Sequence, residues 1–282
     1  MLKKDLVMPK SNMIKKLREM QETNSSLLAT NFYNYETLRG IMKAASQLNQ
    51  PIILQLTKSS IDYMGLSVAV NLAKSSLEEY QVEGWLHLDH SVSYDLVHEC
   101  LDAGFDSVMI DASEKPFEEN MDITRKVVEL AANYGANVEA ELGYIAKLGQ
   151  SKEKTGFTDP AEAKYFVEQT GINSLAVAIG SAHGFYTQEP NLDIQRLSEI
   201  RAATHIPLVL HGGSGIPGSS LKEAIKNGIC KINLATEIKN IFMQTLKTSM
   251  AMNEDIDLRN VFPSAIHAVS RLVEEKLEIV KS

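Results

Sequence analysis

The sequence predicts an α/β fold closed into a (β/α)8 TIM barrel, with an N-terminal capping helix and an extra C-terminal helix. Three observations lead there. Short, near-continuous apolar runs alternate with longer stretches of helical periodicity along nearly the whole chain. Eight strand–helix pairs fit within the 282 residues, and about 250 residues is the usual size of an eight-unit barrel. No linker, repeat or low-complexity stretch divides them, so residues 1–282 are expected to form one barrel domain. A doubly wound open sheet uses the same alternation, so the count favours the barrel without excluding the sheet.

Taken in order, a helix over 12–22 comes first, where it would cap the barrel bottom. Strands are predicted at 27–32, 52–57, 85–88, 107–111, 137–142, 174–179, 208–210 and 231–234. Their apolar character suits parallel strands covered on both faces. Helical stretches between them include 36–48, 94–103, 120–134, 160–170 and 193–203. Several segments end on a glycine before the next strand, at Gly104, Gly135, Gly171 and Gly228, the usual stop signal of a helix. A helix over 264–280 closes the chain.

Composition removes several function classes. The net charge of −8, with no basic run, argues against a nucleic-acid surface. Cys100 and Cys230 are the only cysteines and lie far apart, so a disulfide framework is not expected and a reducing compartment fits. No apolar stretch approaches the roughly 20 residues of a membrane span. Met1-Leu2-Lys3-Lys4 is not followed by the apolar core of a signal peptide. A cytoplasmic protein without membrane partners is the expectation.

In a barrel of this kind, chemistry is carried at the C-terminal strand ends and the loops after them. The third, sixth and seventh strands run out into His90, His183 and His211. A single strand-end histidine is usually solvated or hydrogen-bonded. Three of them, each beside glycine or an acid, point to a zinc site with one coordination position open. His87 is expected to pack inside the barrel or to support that site. His98, His205 and His267 fall on helical or pre-strand positions and are read as structural or exposed. Asp89 has two readings: proton relay at the reacting carbon or hydroxyl, or cap of the following helix. Asp111 and Glu141 end the fourth and fifth strands. They are read as supports of the metal ligands or an alternative metal position, or else as ion-pair partners of nearby basic groups.

Two segments suit an anion. Gly212-Gly213-Ser214-Gly215 follows the seventh strand and leads into a helix expected from near Pro217. Asn233-Leu234-Ala235-Thr236 ends the eighth strand and opens another. Glycines let backbone amides approach phosphate oxygens, and a helix N-terminus adds a favourable dipole. Loops after strands seven and eight are the recurrent phosphate site of such barrels.

These residues together resemble the class II ketose-bisphosphate aldolases, closest to the tagatose- and fructose-bisphosphate branch. The resemblance runs from near Asn31 to Lys276. It rests on His-Leu-Asp-His at 87–90, Ser-Val-Met-Ile-Asp at 107–111 and Val-Glu-Ala-Glu-Leu-Gly at 138–143. More distinctive still are Ser-Leu-Ala-Val-Ala-Ile-Gly-Ser-Ala-His-Gly at 174–184 and Pro-Leu-Val-Leu-His-Gly-Gly-Ser-Gly-Ile-Pro at 207–217. The resemblance implies one catalytic Zn2+ on His90, His183 and His211, with room for an additional monovalent or divalent cation. It implies Asp89 as proton donor and acceptor at the C4 hydroxyl of a phosphorylated ketose. Gly184, Gly212, Gly213, Ser214, Asn233, Ala235 and Thr236 would bind the dihydroxyacetone phosphate half. Asn31, Asn34 and Glu36 match the family's Asn-x-x-Asn-x-Glu pattern. Arg259, after Asp257, would meet the distal phosphate across a subunit interface of a homodimer or homotetramer.

The implied reaction is reversible cleavage of a ketose (bis)phosphate, such as fructose or tagatose 1,6-bisphosphate, through a zinc-stabilised enediolate. A Schiff-base aldolase would need a lysine at a strand end. The sixth strand has none, and Lys231 is expected to begin the eighth strand rather than end it. Three departures bear on substrate. The family's Gly-Gly-x-Glu-Asp loop is replaced by residues 144–154, where Glu153, Lys147, Lys152 and Lys154 are the charged groups. Asp111-Ala112-Ser113 stands for Asp-Gly-Ser, and Ala235 stands where fructose-specific members often have aspartate. Two other readings stay open: a metal-free sugar-phosphate isomerase or epimerase, and a sugar-phosphate-binding paralogue without turnover.

Overall fold

Eight parallel strands pair in sequence order around a closed barrel in the computed structural model, which describes residues 12–147, 156–184, 186, 190–252 and 254–281. They are β1 (Leu27–Asn31), β2 (Ile52–Leu56), β3 (Gly84–Ser91), β4 (Ser107–Ile110), β5 (Asn137–Leu142), β6 (Ser174–Val177), β7 (Leu208–Leu210) and β8 (Ile229–Leu234). The ring closes where β8 returns to β1, with Leu28 opposite Ile232 and Thr30 opposite Leu234. The open-sheet alternative is thereby removed.

Outside the barrel lie α1 (Met13–Thr23), α2 (Tyr35–Leu48), α3 (Lys58–Met64), α4 (Leu66–Glu79), α5 (Tyr94–Asp102), α6 (Phe117–Ala132), α7 (Pro160–Thr170), α8 (Ile194–Thr204), α9 (Gly218–Lys226), α10 (Thr236–Ala251), α11 (Leu258–Val261) and α12 (Pro263–Val280). The leading helix starts where Asn12 accepts the Ile14 N–H at 2.8 Å. It then buries Met13 and Leu17 against Leu27, Ile53, Trp85 and Cys230, near the N-terminal strand ends. That plug stands at the end opposite the predicted chemistry. α12 lies against α2, and Gly40 permits the approach, since a Cβ there would sit 2.7 Å from Val269. The carbon core between strands and helices is continuous, running from Leu28 and Phe32 through Leu175 and Ile200 to Leu277.

Several boundaries differ from the sequence reading, each for a physical reason. β3 extends three residues past 88, so Asp89 and His90 lie within the strand and not beyond it. Between Leu88 and Ser91 its register against β4 shifts, and His90 takes a left-handed φ of 50°. This has the character of a β-bulge, which bends a strand and re-aims a side chain. β6 stops at Val177, and β4 stops at Ile110, leaving Asp111 just past its end. Lys231 does not begin β8: the strand starts at Ile229, so Lys231 sits in its middle. Among the described residues, no helix is long and apolar enough to cross a membrane.

Candidate metal centre and active site

A strand turns alternate side chains to opposite faces, and three barrel strands place polar pairs two residues apart on the inner face. β3 gives His87 and Asp89, β5 gives Glu139 and Glu141, and β8 gives Lys231 and Asn233. The lower members meet in the barrel interior. Lys231 Nζ lies 2.8 Å from Glu139 Oε2 and 3.0 Å from Oε1, and donates to His87 Nε2 at 3.3 Å. His87 Nδ1 therefore carries the proton and donates to Ser107 Oγ at 2.7 Å. Burial first, then the Lys231 charge, holds the His87 imidazole well below its ordinary pKa.

The upper members form the mouth. Asp89 accepts from Asn31 Nδ2 at 3.1 Å, Gln55 Nε2 at 3.1 Å and Asn233 Nδ2 at 3.3 Å. Burial opposes its charge, but His90, His211 and Lys231, together with the Asn31 bond, outweigh that and lower its pKa. Asp89 does not cap the following helix. Ser93 does, accepting the Leu96 N–H at 3.2 Å.

His90 and His211 face each other across the mouth, with Nε2 of the first 2.7 Å from Nδ1 of the second. Their outer nitrogens are committed to acids. His90 Nδ1 donates to Asp111 Oδ2 at 2.8 Å, and His211 Nε2 donates to Glu139 Oε1 at 3.0 Å. The inner nitrogens of two neutral rings so held present lone pairs to one another, which a shared proton or a metal ion relieves. The His183 ring centre lies 4.9 Å from that of His90 and 5.8 Å from that of His211. One ligand atom from each of His90, His183 and His211 falls within 4.8 Å of the others. A three-imidazole donor set suits zinc best among common divalent ions. Burial resists charge on His90, but Asp89, Asp111 and Glu141 outweigh it and push its pKa up to about 9. Burial first, then the His90 and Lys231 charges, hold His211 well below its ordinary pKa, so the proton of the pair belongs to His90.

Asp111 and Glu141 adjoin the same ring. His90, Asp111 and Glu141 form a second cluster of metal-ligating atoms. Ser113 Oγ lies 2.7 Å from Asp111 Oδ1 and 3.2 Å from Glu141 Oε1, between the two carboxyls. Burial, then the Asp111 charge, pushes Glu141 up to about 8. Its Oε2 is buried and bonded to no protein group among the described residues. The Asp111 carboxyl is held low, because its bonds to His90 and Ser113 outweigh burial.

The loops after β6, β7 and β8 converge beside these rings. Gly212 has φ 68°, and a Cβ there would collide with the Ala182 carbonyl. Tyr186 accepts the Ala182 N–H at 2.6 Å and donates to the Gly212 carbonyl at 3.0 Å, tying two loops together. Gly213 N–H donates to the Asn233 carbonyl at 3.1 Å. Ser214 is buried and accepts the Glu237 N–H at 3.3 Å, next to the start of α10 at Thr236, with Ala235 as N-cap. Gly184 follows His183 with φ 114°, and a two-residue parallel ladder joins 182–183 to 146–147.

Other predicted residues lie elsewhere or serve otherwise. Asn34 caps α2, its Oδ1 accepting the Thr37 N–H at 2.9 Å, and Glu36 stands in the first turn of that helix. Arg259 is 89% exposed on α11 and paired with Asp257 at 2.7 Å, so a single chain does not bring it into contact with the mouth. His98 and His267 are exposed on helices, and His205 is the left-handed cap of α8. Lys152, Glu153 and Lys154 lie outside the described residues. The sequence reading did not single out Glu139, Lys231 and Gln55 as site-supporting groups. The i, i+2 spacing of Glu139 from Glu141, and of Lys231 from Asn233, was the available signal.

A sequence model of the family described as "Fructose-bisphosphate aldolase class-II" matches residues 11–282. The chain belongs to this class-II aldolase family. Solved structures agree over nearly the whole length. The YdjI aldolase from Escherichia coli K12 is 32% identical, with a TM-score of 0.86 over 96% of this chain and 97% of that one. A candidate fructose-1,6-bisphosphate aldolase from Coccidioides immitis is 28% identical, with a TM-score of 0.87 over the same shares. The fructose-bisphosphate aldolase of Campylobacter jejuni, at 20% identity, shares the fold, with a TM-score of 0.81 over 95% and 93%. The aldolase is thus a carbon–carbon lyase on a (β/α)8 barrel, and a small phosphorylated sugar is the substrate class its family implies.

Proposed function

We propose that this aldolase reversibly cleaves a ketose (bis)phosphate, such as fructose or tagatose 1,6-bisphosphate, into dihydroxyacetone phosphate and an aldehyde. His90, His183 and His211 hold a catalytic zinc ion in this reading, and Asp89 is the catalytic acid and base. The observation that carries it is the pair of inward nitrogens on His90 and His211, 2.7 Å apart, with both outer nitrogens bonded to acids. When bound, the ion supplies Lewis-acid stabilisation of the negative charge that develops beside the ketose carbonyl.

The chain's own groups do the rest. Asp89, an anion held by three amide donors, takes the C4 hydroxyl proton as the C3–C4 bond breaks and returns it in the condensation direction. The two electrons of that bond remain on C3 and delocalise into the adjacent carbonyl. A proton from water then takes up the pair at C3 to complete dihydroxyacetone phosphate, and Asp89 gives its proton to water. The Gly212–Ser214 loop and the N-terminus of α10 at Thr236 receive the phosphate of the dihydroxyacetone half, where backbone N–H groups and the helix dipole favour an anion. Asn233, whose Nδ2 donates to Asp89 at 3.3 Å and packs 3.2 Å from His211 Nε2, orders the boundary between the proton site and the phosphate site. Asp111 fixes the His90 ring, and with Glu141 it offers an adjacent place for a second cation, because Glu141 Oε2 lacks a protein partner among the described residues. Arg259 would act on a distal phosphate only from a neighbouring subunit of a homodimer or homotetramer.

The test is release of dihydroxyacetone phosphate from fructose and tagatose 1,6-bisphosphates by the zinc-loaded protein. Cleavage of either sugar is the expected result, and the faster one fixes the configuration preferred at C4. Tight binding of both sugars without cleavage would contradict the proposal and favour a non-catalytic sugar-phosphate-binding role.

A further inference from the structure

The anion cradle is built from glycines and a helix start, neither of which holds a loop in place through side chains. Gly212 and Gly215 both have positive φ, at 68° and 82°. The N-cap of α10 is Ala235, whose methyl group accepts no hydrogen bond, so the helix is not capped from within its own segment. Another loop supplies the missing acceptor. Ser214 Oγ accepts the Glu237 N–H at 3.3 Å, and Glu237 Oε1 accepts the Gly215 N–H at 2.9 Å in return. This is the reciprocal logic of a capping box, divided between the loops after β7 and β8. A third member comes from α12: Lys276 Nζ lies 3.1 Å from Glu237 Oε2, with its side chain only 9% exposed.

The charge arrangement matters as much as the bonds. A lone carboxylate at the start of α10 would repel a phosphate bound there. The Lys276 ammonium cancels that charge, so Glu237 shapes the loop without opposing the anion. Among the described residues the Ser214 and Thr236 N–H groups bond no protein acceptor, and both lie beside this box.

We infer that Glu237 and Lys276 are positioning residues for phosphate recognition: the carboxylate fastens the Gly212–Gly215 loop to α10, and the lysine neutralises it. The inference rests on the aldolase reading of the cradle.

Calorimetric titration of the zinc-loaded full chain with inorganic phosphate, alongside kcat and KM for the cleaved ketose bisphosphate, tests it. Glu237→Ala is expected to weaken phosphate binding and raise KM by about tenfold, the worth of one charge-assisted hydrogen bond. Zinc content and kcat at saturation should hold. Lys276→Met leaves the carboxylate uncompensated and is expected to weaken phosphate binding similarly. Glu237→Gln keeps the acceptor for Gly215 and removes the negative charge, so its phosphate binding should stay close to that of the unmodified chain. The double variant E237Q/K276M should recover what K276M loses, which a general loss of packing would not allow. Unchanged phosphate binding in both E237A and K276M would overturn the inference while leaving the aldolase reading intact. Absence of phosphate binding by the unmodified zinc-loaded chain would overturn the cradle itself and the inference with it.

Discussion

Lys231 Nζ and Glu139 Oε2 meet at 2.8 Å inside the barrel, with neither side chain exposed to solvent. A buried ion pair is expensive to break, because removing one partner strands the other charge away from water. Lys231→Met should therefore destabilise the fold by about 3–5 kcal/mol in denaturant unfolding. E139Q/K231M, which removes both charges, should cost clearly less. Equal losses for the single and double variants would contradict the pairing.

Glu139 also accepts the His211 Nε2 proton at 3.0 Å, which leaves Nδ1 for a metal. Glu139→Gln is expected to lower zinc affinity by about 10–100-fold, the usual effect of disturbing a ligand's hydrogen-bond partner. Competition with a chromophoric chelator reads this directly. Unchanged affinity would mean that another group sets the His211 tautomer.

Asp89→Asn separates proton transfer from metal binding. Asparagine keeps the shape of the site but is no base at C4, so kcat should fall by at least about a hundredfold with zinc content unchanged. A variant that cleaves at the original rate would remove Asp89 from the mechanism.

Thiol chemistry should be silent in the native protein. Burial pushes Cys100 up to about 12 and Cys230 up to about 11, and neither is in a disulfide. Alkylation at pH 8 should modify neither until denaturant is added, since the thiolate is the reactive form. Rapid labelling of Cys230 in the folded state would show that the barrel bottom opens under α1.

The histidines at the strand ends were legible in the sequence, because a strand ending on a histidine beside glycine or acid stands out from an apolar run. So were the glycine-rich turn after β7 and the helix start after β8, through their glycines and the helices that follow. The support beneath these histidines was less legible. Glu139 and Lys231 sit within otherwise apolar strands, and only three-dimensional closure shows that they point at one another and at His87. The irregularity of β3 was hidden too. His-Leu-Asp-His gives no local sign that His90 adopts a left-handed backbone, yet that conformation accompanies the register shift around Asp89 and His90. Arg259 illustrates the opposite case: its motif position is clear, yet it stands exposed on α11, paired with Asp257 and not with any group of the mouth.

The central claim is that cleavage needs a metal held by His90, His183 and His211. It is tested most directly by stripping the protein with a chelator, measuring residual zinc and ketose-bisphosphate cleavage on the same sample, and then returning one equivalent of zinc. Cleavage should disappear with the metal and return in proportion to it, and His183→Ala should neither retain the ion nor recover. Full cleavage by metal-free protein would contradict the claim.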